Sequence, residues 1–483
     1  ETFYEDKRPF FSENQSMFDV DGYRFVYVIN TRRIGGTPDY DCSQYSSELE
    51  VICNENQKGN NDIDVAFRYT KVGQNYDVGF LGAKETDESF SEGKDFMAAK
   101  YRVKRDNLSI GYLGTFVKNP VMNKRANVNS LDFDYRSSKD LRIYGLLLNS
   151  ILEDQKGYGL RMSLRKQVNQ DLSTGFGFFY LDEDLNLNDM GYLFRNDWIM
   201  FGGRTMLQKT SFKESSPNLI RTYRFGYGCR SNTSGDKEGC YTSLDIGNQF
   251  KDTSQIEAEV FFRTSGKDNM ITRGNQLAPF VKLPQNYGIE LKYVGQKNKY
   301  WQWDLFMQRA KGSEHSSNLS WRNNYWSSIK LFPMENLTLK LSYSHEKEKN
   351  WLNWIQENLL GTYEKTQRKT NISLTYFKGT KHELRVKSQM VAFTAIKPQA
   401  YFASSKGNLN QSSINLDPFS LGQLAFQVRY RYEFMPLAYL YAVYTRGGRI
   451  YEADEEDDLG TLYKRPWQDP DKDNFTLKVR YRF

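Results

Sequence analysis

Hydrophobic and polar residues alternate with period two at the C-terminus, where Phe475, Leu477, Val479, Tyr481 and Phe483 stand between Thr476, Lys478, Arg480 and Arg482. Side chains with that period separate onto two faces of an extended strand, here one greasy and one cationic. The pattern recurs at Leu424, Phe426, Val428, Tyr430, Tyr432 and Phe434, interleaved with Ala425, Gln427, Arg429, Arg431 and Glu433. Upstream, Ile63, Val65, Phe67 and Tyr69 alternate with Asp64, Ala66, Arg68 and Thr70, as do Tyr158, Leu160, Met162 and Leu164 with Gly159, Arg161, Ser163 and Arg165. Ile256 to Phe262, Leu337 to Tyr343 and Ile372 to Tyr376 repeat it. Such segments begin near residue 23 and number about 22, in keeping with the even strand counts of bacterial barrels.

Alternation alone fits either a soluble sandwich or a membrane barrel. Continuous alternation over the chain and aromatics at segment ends, where interfacial girdles place them, favour the barrel. The expected fold class is therefore all-β: a transmembrane antiparallel β-barrel of about 22 strands (about 20 to 26), with short periplasmic turns and long extracellular loops. Short turns are expected at Arg105-Asp106-Asn107, Asn169-Gln170-Asp171 and Phe332-Pro333-Met334-Glu335-Asn336, and long polar loops near 33–61, 84–95, 231–238, 397–418 and 450–472. No linker divides the chain. Residues 1–21 are expected to form a periplasmic or plug-like segment and residues 22–483 the barrel.

Composition removes the rival classes. The 483 residues include 33 Tyr, 32 Phe and 8 Trp, more aromatic surface than a disordered chain carries. Mean hydropathy is −0.71, and no stretch approaches the roughly 18 to 20 uncharged apolar residues that a membrane helix needs.

Cys42 with Cys53, and Cys229 with Cys240, form two close pairs in polar stretches. They are expected to be disulfides of an oxidising compartment, because CxxC spacing is absent and no histidine lies beside them in sequence. The three histidines are His315, His345 and His382. Only His315, within Ser313-Glu314-His315-Ser316-Ser317, is a local candidate for hydrolase chemistry. The run Glu452, Asp454, Glu455, Glu456, Asp457 and Asp458 lacks EF-hand spacing and reads as a solvated loop. No catalytic residue, metal or cofactor is expected.

The net charge of +7 matters by face. The candidate lumen residues Arg161, Arg165, Arg429, Arg431, Lys478, Arg480 and Arg482 outnumber Glu257, Glu259 and Glu433, and a low-dielectric wall focuses their field. A water-filled lumen would then weakly favour anions, unless these arginines pair with acidic neighbours or a plug. The basic residues are spread through strands, which argues against nucleic-acid binding.

The N-terminal stretch Glu1 to Glu13, with Lys7, Arg8, Pro9, Phe10 and Phe11, followed by Arg32, Arg33, Ile34 and Gly35, resembles a bacterial outer-membrane family of unknown function. Its pattern is close to ETFFPEKRPFFLE and then YSRRIG; here Ser12 departs from the first block, and Val28-Ile29-Asn30-Thr31 leads into the second. The resemblance covers about the first 35 residues and implies a large barrel that normally follows a family-nine-type carbohydrate-binding module, which this sequence does not include. With no signal-peptide pattern after Glu1, the chain is expected to be a mature or processed piece. Lys7 to Phe11 is expected to tuck into the barrel mouth or to extend as a tail, and Arg32 and Arg33 to end the first strand. Tyr481 and Phe483, ending an amphipathic strand, resemble the assembly signal of Gram-negative outer-membrane proteins.

The leading functional expectation is an outer-membrane channel or gated pore for small solutes, weakly anion-favouring, with saccharides suggested by analogy and Phe179 and Phe261 as inward stacking aromatics. The alternative is a plugged scaffold that docks another polypeptide, with Gly175 and Gly177 allowing close backbone approach. A TonB-dependent-receptor-like barrel and an outer-membrane hydrolase follow. Expected partners are outer-membrane lipid and lipopolysaccharide, the barrel-assembly machinery, and a separate carbohydrate-binding module or other chain.

Overall fold

In the computed structural model, strands dominate and the helices are short. The structure describes residues 8–12, 15–57, 59–137, 140–312, 320–453 and 459–481, with the backbone alone at Pro9, Ala453 and Leu459. Twenty-two strands belong to one antiparallel sheet of the barrel class, as the alternation predicts. The chain divides into two compact units: Glu1–Thr205 with Gly228–Asp236, and Met206–Tyr227 with Lys237–Phe483.

The first unit opens with a segment outside this sheet. It contains helix α1 (Pro9–Ser12), 3-10 turns at Gln15–Phe18, Thr31–Arg33 and Cys42–Gln44, strand β1 (Val26–Tyr27) and helix α2 (Ser47–Glu55). The sheet begins at β2 (Ile63–Val72), so the boundary expected at residue 22 is corrected to Ile63. The physical reason is burial: Val26 and Val28 are each 1 % exposed and pack into the core against the sheet, so this apolar run is spent on docking and not on a strand of the sheet. Then follow β3 (Tyr76–Glu85), β4 (Asp95–Arg105), β5 (Leu108–Asn119), β6 (Lys124–Ser137), β7 (Leu141–Leu152), β8 (Gln155–Gln167) and β9 (Leu172–Leu181). Each pairs antiparallel with its predecessor. In the connection after β9, β10 (Tyr192–Leu193) pairs with β1. Strands β11 (Trp198–Lys209) and β12 (Asn218–Ser231) contribute residues to both units.

The second unit carries β13 (Lys237–Phe250), β14 (Gln255–Arg263), a small hairpin of β15 (Gly266–Asp268) and β16 (Val281–Leu283), then β17 (Asn286–Val294) and β18 (Trp301–Lys311). It continues with β19 (Trp321–Met334), β20 (Leu337–Gln356), β21 (Leu359–Lys378) and β22 (His382–Ala403). Strand β23 (Leu409–Gln411), β24 (Phe419–Met435), β25 (Ala438–Ala453), helix α3 (Leu459–Gln468) and β26 (Lys472–Arg480) complete it. Strand β23 is a short addition beside the end of β22 and is one of the 22 strands of this sheet.

Turn chemistry is local. In the expected turn after β8, the Asn169 side chain accepts hydrogen bonds from the backbone N–H of Asp171 and Leu172, both at 2.9 Å, an Asx turn. Two expected loops are corrected. Strand β22 continues to Ala403, and the stretch 450–472 contains helix α3. Leu462 of α3 is fully buried against β24, where a Cβ on Gly422 would stand 2.5 Å from the Leu462 carbonyl oxygen.

Most of the alternating apolar positions form one uncovered face of the sheet; on β24 helix α3 lies on this face, where Leu424 is 3 % exposed and Phe426 meets Trp467 at 5.3 Å. Phe67, Leu131 and Leu147 in the first unit are 56 %, 46 % and 51 % exposed, and Ile256 and Val260 in the second 45 % and 49 %. On the opposite face of the first unit, Leu81, Phe96, Leu113, Val128 and Leu146 pack with Phe18, Val26 and Ile34 of the N-terminal segment into one core. Burying each such side chain contributes about 1.5–3 kcal/mol.

Candidate functional site

The inner face of the first unit is where the N-terminal segment docks. Its apolar part is capped by the core just described; its polar part is a set of charged side chains that hold the segment's backbone. Arg161 on β8, 3 % exposed, donates to the Asp21 carbonyl oxygen at 2.6 Å and pairs with the Asp21 carboxylate at 3.2 Å. The Tyr144 hydroxyl accepts from the Asp21 backbone N–H at 2.9 Å, and Lys100 donates to the Asp19 carbonyl at 2.6 Å. Beneath them, Arg102 pairs with Asp132 at 2.9 Å, Lys104 with Asp77 at 2.6 Å and Arg142 with Asp134 at 2.9 Å. Phe25 meets Phe179 and Trp198 edge-on, with ring centroids 5.9 and 5.0 Å apart.

The segment is tied to itself by its two motif blocks. Arg8 donates to the Thr31 and Ile34 carbonyls at 2.6 and 2.7 Å, so residues far apart in sequence form one clamp. Gly35 adopts φ +69°, a conformation that favours glycine, and its N–H donates to Glu85 at 2.8 Å. Phe11 and Ile34 are buried, and Phe10 is exposed beside Arg68, which donates to its carbonyl. Arg32 and Arg33 lie in the 3-10 turn Thr31–Arg33 and end no strand of the large sheet; Arg33 reaches the Gly191 carbonyl at 3.3 Å. Lys7 lies outside the described residues. Close backbone approach occurs at Gly157 and Gly191, where an added Cβ would stand 2.3 Å from Leu185 backbone atoms and from the Tyr27 carbonyl oxygen. Gly175 and Gly177, named for this role from sequence, have no such neighbour within 3 Å.

The inner face of the second unit is polar. On β22 and β24, Glu383 is 1 % exposed and contacts three guanidinium groups: Arg385, Arg431 at 3.1 Å and Arg429 at 3.6 Å. The register sets Arg431 opposite Tyr441, Tyr441 opposite Lys478, and Tyr439 opposite Arg480, so Lys478 and Arg480 share this face. Further along, Arg224 bridges Asp245 at 2.5 Å and Glu257 at 2.8 Å, and Tyr241 donates to Glu259 at 2.5 Å. Toward the loop ends, Phe393 and Phe419 lie 5.7 Å apart; Trp351 is 5.5 Å from Phe393, and Tyr363 is 5.4 Å from Phe419.

The structure thus brings Arg161 to the N-terminal segment and Arg429 and Arg431 to Glu383, and leaves Arg165, Lys478 and Arg480 exposed. Tyr481 is exposed, and Arg482 and Phe483 lie outside the described residues. Phe179 is inward but covered by Tyr23 and Phe25, which removes it as a stacking surface. Phe261 shares the inner face with Tyr241, 6.4 Å away. Cys42 and Cys53 are bonded across a Cα separation of 5.7 Å, and Cys229 and Cys240 are also disulfide-bonded. Glu452 pairs with Arg465 at 2.6 Å, whereas 454–458 and His315 lie outside the described residues. His345 faces outward on β20, opposite Arg368, and His382 stacks on Tyr432 at 4.7 Å. Sequence reasoning missed Asp21, Tyr144, Lys100 and Glu383. Its available signal was the loss of alternation in Gly145-Leu146-Leu147-Leu148 and Phe96-Met97-Ala98-Ala99, where apolar residues fall on both faces.

No curated protein matches this chain. Among solved structures, it is similar to a bacterial polysaccharide outer membrane secretin (8 % identity, TM-score 0.31, 58 % of this chain and 93 % of that one). It is also similar to the RagAB peptide importer in its closed-closed state (9 %, TM-score 0.37, 78 % and 50 %) and to the siderophore receptor PirA from Acinetobacter baumannii (10 %, TM-score 0.36, 85 % and 74 %). The chain therefore spans about half the length of the RagAB chain that it matches. The profile of one family, described as a domain of unknown function (DUF5916), covers residues 102–483 and leaves out both N-terminal motif blocks. With most of its length matched, the chain belongs to the DUF5916 family.

Proposed function

We propose that this chain spans a bacterial outer membrane as a β-barrel conduit for small solutes, gated by its own N-terminal segment. The observation that carries the reading is the uncovered apolar face of the sheet, with side chains such as Phe67 at 56 % and Leu147 at 51 % exposure, set against an inner face of charged and hydrogen-bonded residues. A water-soluble protein rarely leaves so extended an apolar surface open, whereas lipid covers it at no cost. Outer-membrane lipid and lipopolysaccharide then contact the belt, and the barrel-assembly machinery reads the C-terminal strand. The basic inner residues support a weak preference for anions, and the half-buried Trp351, Phe393 and Phe419, backed by the buried Tyr363, offer ring faces to saccharides.

Planar-bilayer conductance of the purified chain, beside its Arg161→Ala variant, tests this. The expected result is small or infrequent openings for the wild type and larger, longer ones for the variant. Large wild-type openings that the variant leaves unchanged would remove the gate. Silence from both folded proteins would instead favour a scaffold, a reading supported by the dry core between the N-terminal segment and β3 to β9.

A further inference from the structure

We infer that the inner face of β22, β24 and β26 carries a binding cradle for a phosphate-type oxyanion, formed by Arg385, Arg429 and Arg431 and organised by Glu383. The inference rests on the conduit reading only in requiring that this face be wet. Glu383 is buried to 1 % exposure, yet its three arginine partners are 41 %, 33 % and 27 % exposed. One carboxylate cannot occupy three guanidinium groups. Its contacts run through Nε of Arg385 and of Arg431 and through a terminal nitrogen of Arg429.

The register packs these groups into a small area. Glu383 stands opposite Arg431, and Arg385 opposite Arg429, in adjacent positions of the same strand pair. Lys387 continues the row on β22, while Lys478 and Arg480 extend the cationic face on β26. Against these six cations stand two carboxylates, Glu383 and Glu433, on the same face of the three strands. Arg431 also sits over the Tyr439 ring at 5.2 Å. Planar guanidinium groups gathered by charge around a buried carboxylate present several donors together, the arrangement that suits an oxyanion. Three forks suit a tetrahedral phosphate, which presents more acceptor oxygens than a carboxylate. The flanking Tyr439 and Tyr441 suit a ring attached to it, so the ligand class is a small phosphorylated sugar or similar phosphate monoester.

The test is calorimetric titration of the folded chain in non-ionic detergent at low salt, with inorganic phosphate and glucose 6-phosphate as probes. Saturable binding of both is expected, weakened at least about tenfold by Arg429→Gln with Arg431→Gln, since charge-assisted hydrogen bonds of this kind carry that much. Lys330→Gln with Lys340→Gln removes equal charge from the β19–β20 pair, which β21 separates from β22, and should alter affinity less than about twofold at comparable screening. Equal losses in the two double variants would replace the cradle by a diffuse field. Absence of saturable binding, or binding only after anionic phospholipid is mixed into the micelles, would overturn the soluble-ligand assignment. Heat-modifiable gel mobility verifies folding of each variant, and Arg429→Lys with Arg431→Lys, which keeps charge but loses the fork, should bind with intermediate affinity. Conduction without phosphate binding would sink the cradle alone; phosphate binding by a non-conducting protein would sink the conduit alone.

Discussion

Arg161 and Glu383 use the same ion-pair chemistry in reversed roles. Arg161 is the buried cation that grips Asp21 of the N-terminal segment from the wall, whereas Glu383 is the buried anion that gathers exposed cations around itself. One partner in each case is buried and the other reaches water, with Asp21 34 % and the three arginines 27–41 % exposed, so removing either Arg161 or Glu383 should cost less than the about 3–5 kcal/mol of breaking a fully buried pair. Glu383→Ala should accordingly lower the urea midpoint of the folded sheet, and Glu383→Gln, which keeps the volume and two hydrogen-bonding groups, should lower it less. A midpoint unchanged in both would show that the three arginines need no organiser. Arg161 was legible in the sequence as an inward residue because it alternates with Leu160 and Met162. Its partner was not, since Asp21 lies 140 positions away and periodicity carries no information across that distance.

Among elements, the strands are fixed by local pattern and the N-terminal segment by long-range fit. The Cys42–Cys53 bridge closes a loop with a sequence separation of 11, for which chain entropy predicts about 2–3 kcal/mol. Because both cysteines lie in the segment before β2, Cys42→Ser with Cys53→Ser should speed proteolysis there while leaving the heat-modifiable shift of the sheet in place. Gly35 is a sharper point. Its φ of +69° and the 3.1 Å gap between an added Cβ and the Asn61 carbonyl make Gly35→Ala unfavourable by about 1–2 kcal/mol, and protease nicking near the Arg8 clamp would report it. Wild-type resistance in this variant would remove the clamp from the account. Helix α3 and the β15–β16 hairpin escaped the sequence reading because each is short and held by burial of a few side chains, Leu462 in one and Val281 in the other, with no sustained period to detect.

At the scale of the whole molecule, the uncovered apolar face gives the most decisive contrast between water and lipid. Leu131 and Leu147 stand opposite each other on β6 and β7 and are both exposed. In water, replacing either by arginine should change stability within about 0.5 kcal/mol; at the middle of a bilayer it should cost about 2–4 kcal/mol. Reconstitution yield and unfolding of Leu147→Arg in lipid vesicles separate the two, and an indifferent variant would place this face in water. By itself the sequence determined the all-β class, the approximate strand number and which side chains share a face, because a period of two is a local geometric property of an extended chain. It also marked all four cysteines as disulfide-forming in two close pairs, through proximity and composition. Only the tertiary structure decided that residues up to Asn61 stay outside the large sheet, that Asp21 meets Arg161, that Phe179 is covered and that Glu383 gathers three arginines. Those outcomes depend on which distant segment fills the inner face, and close packing selects that segment by shape and charge, neither of which leaves a repeat in the sequence.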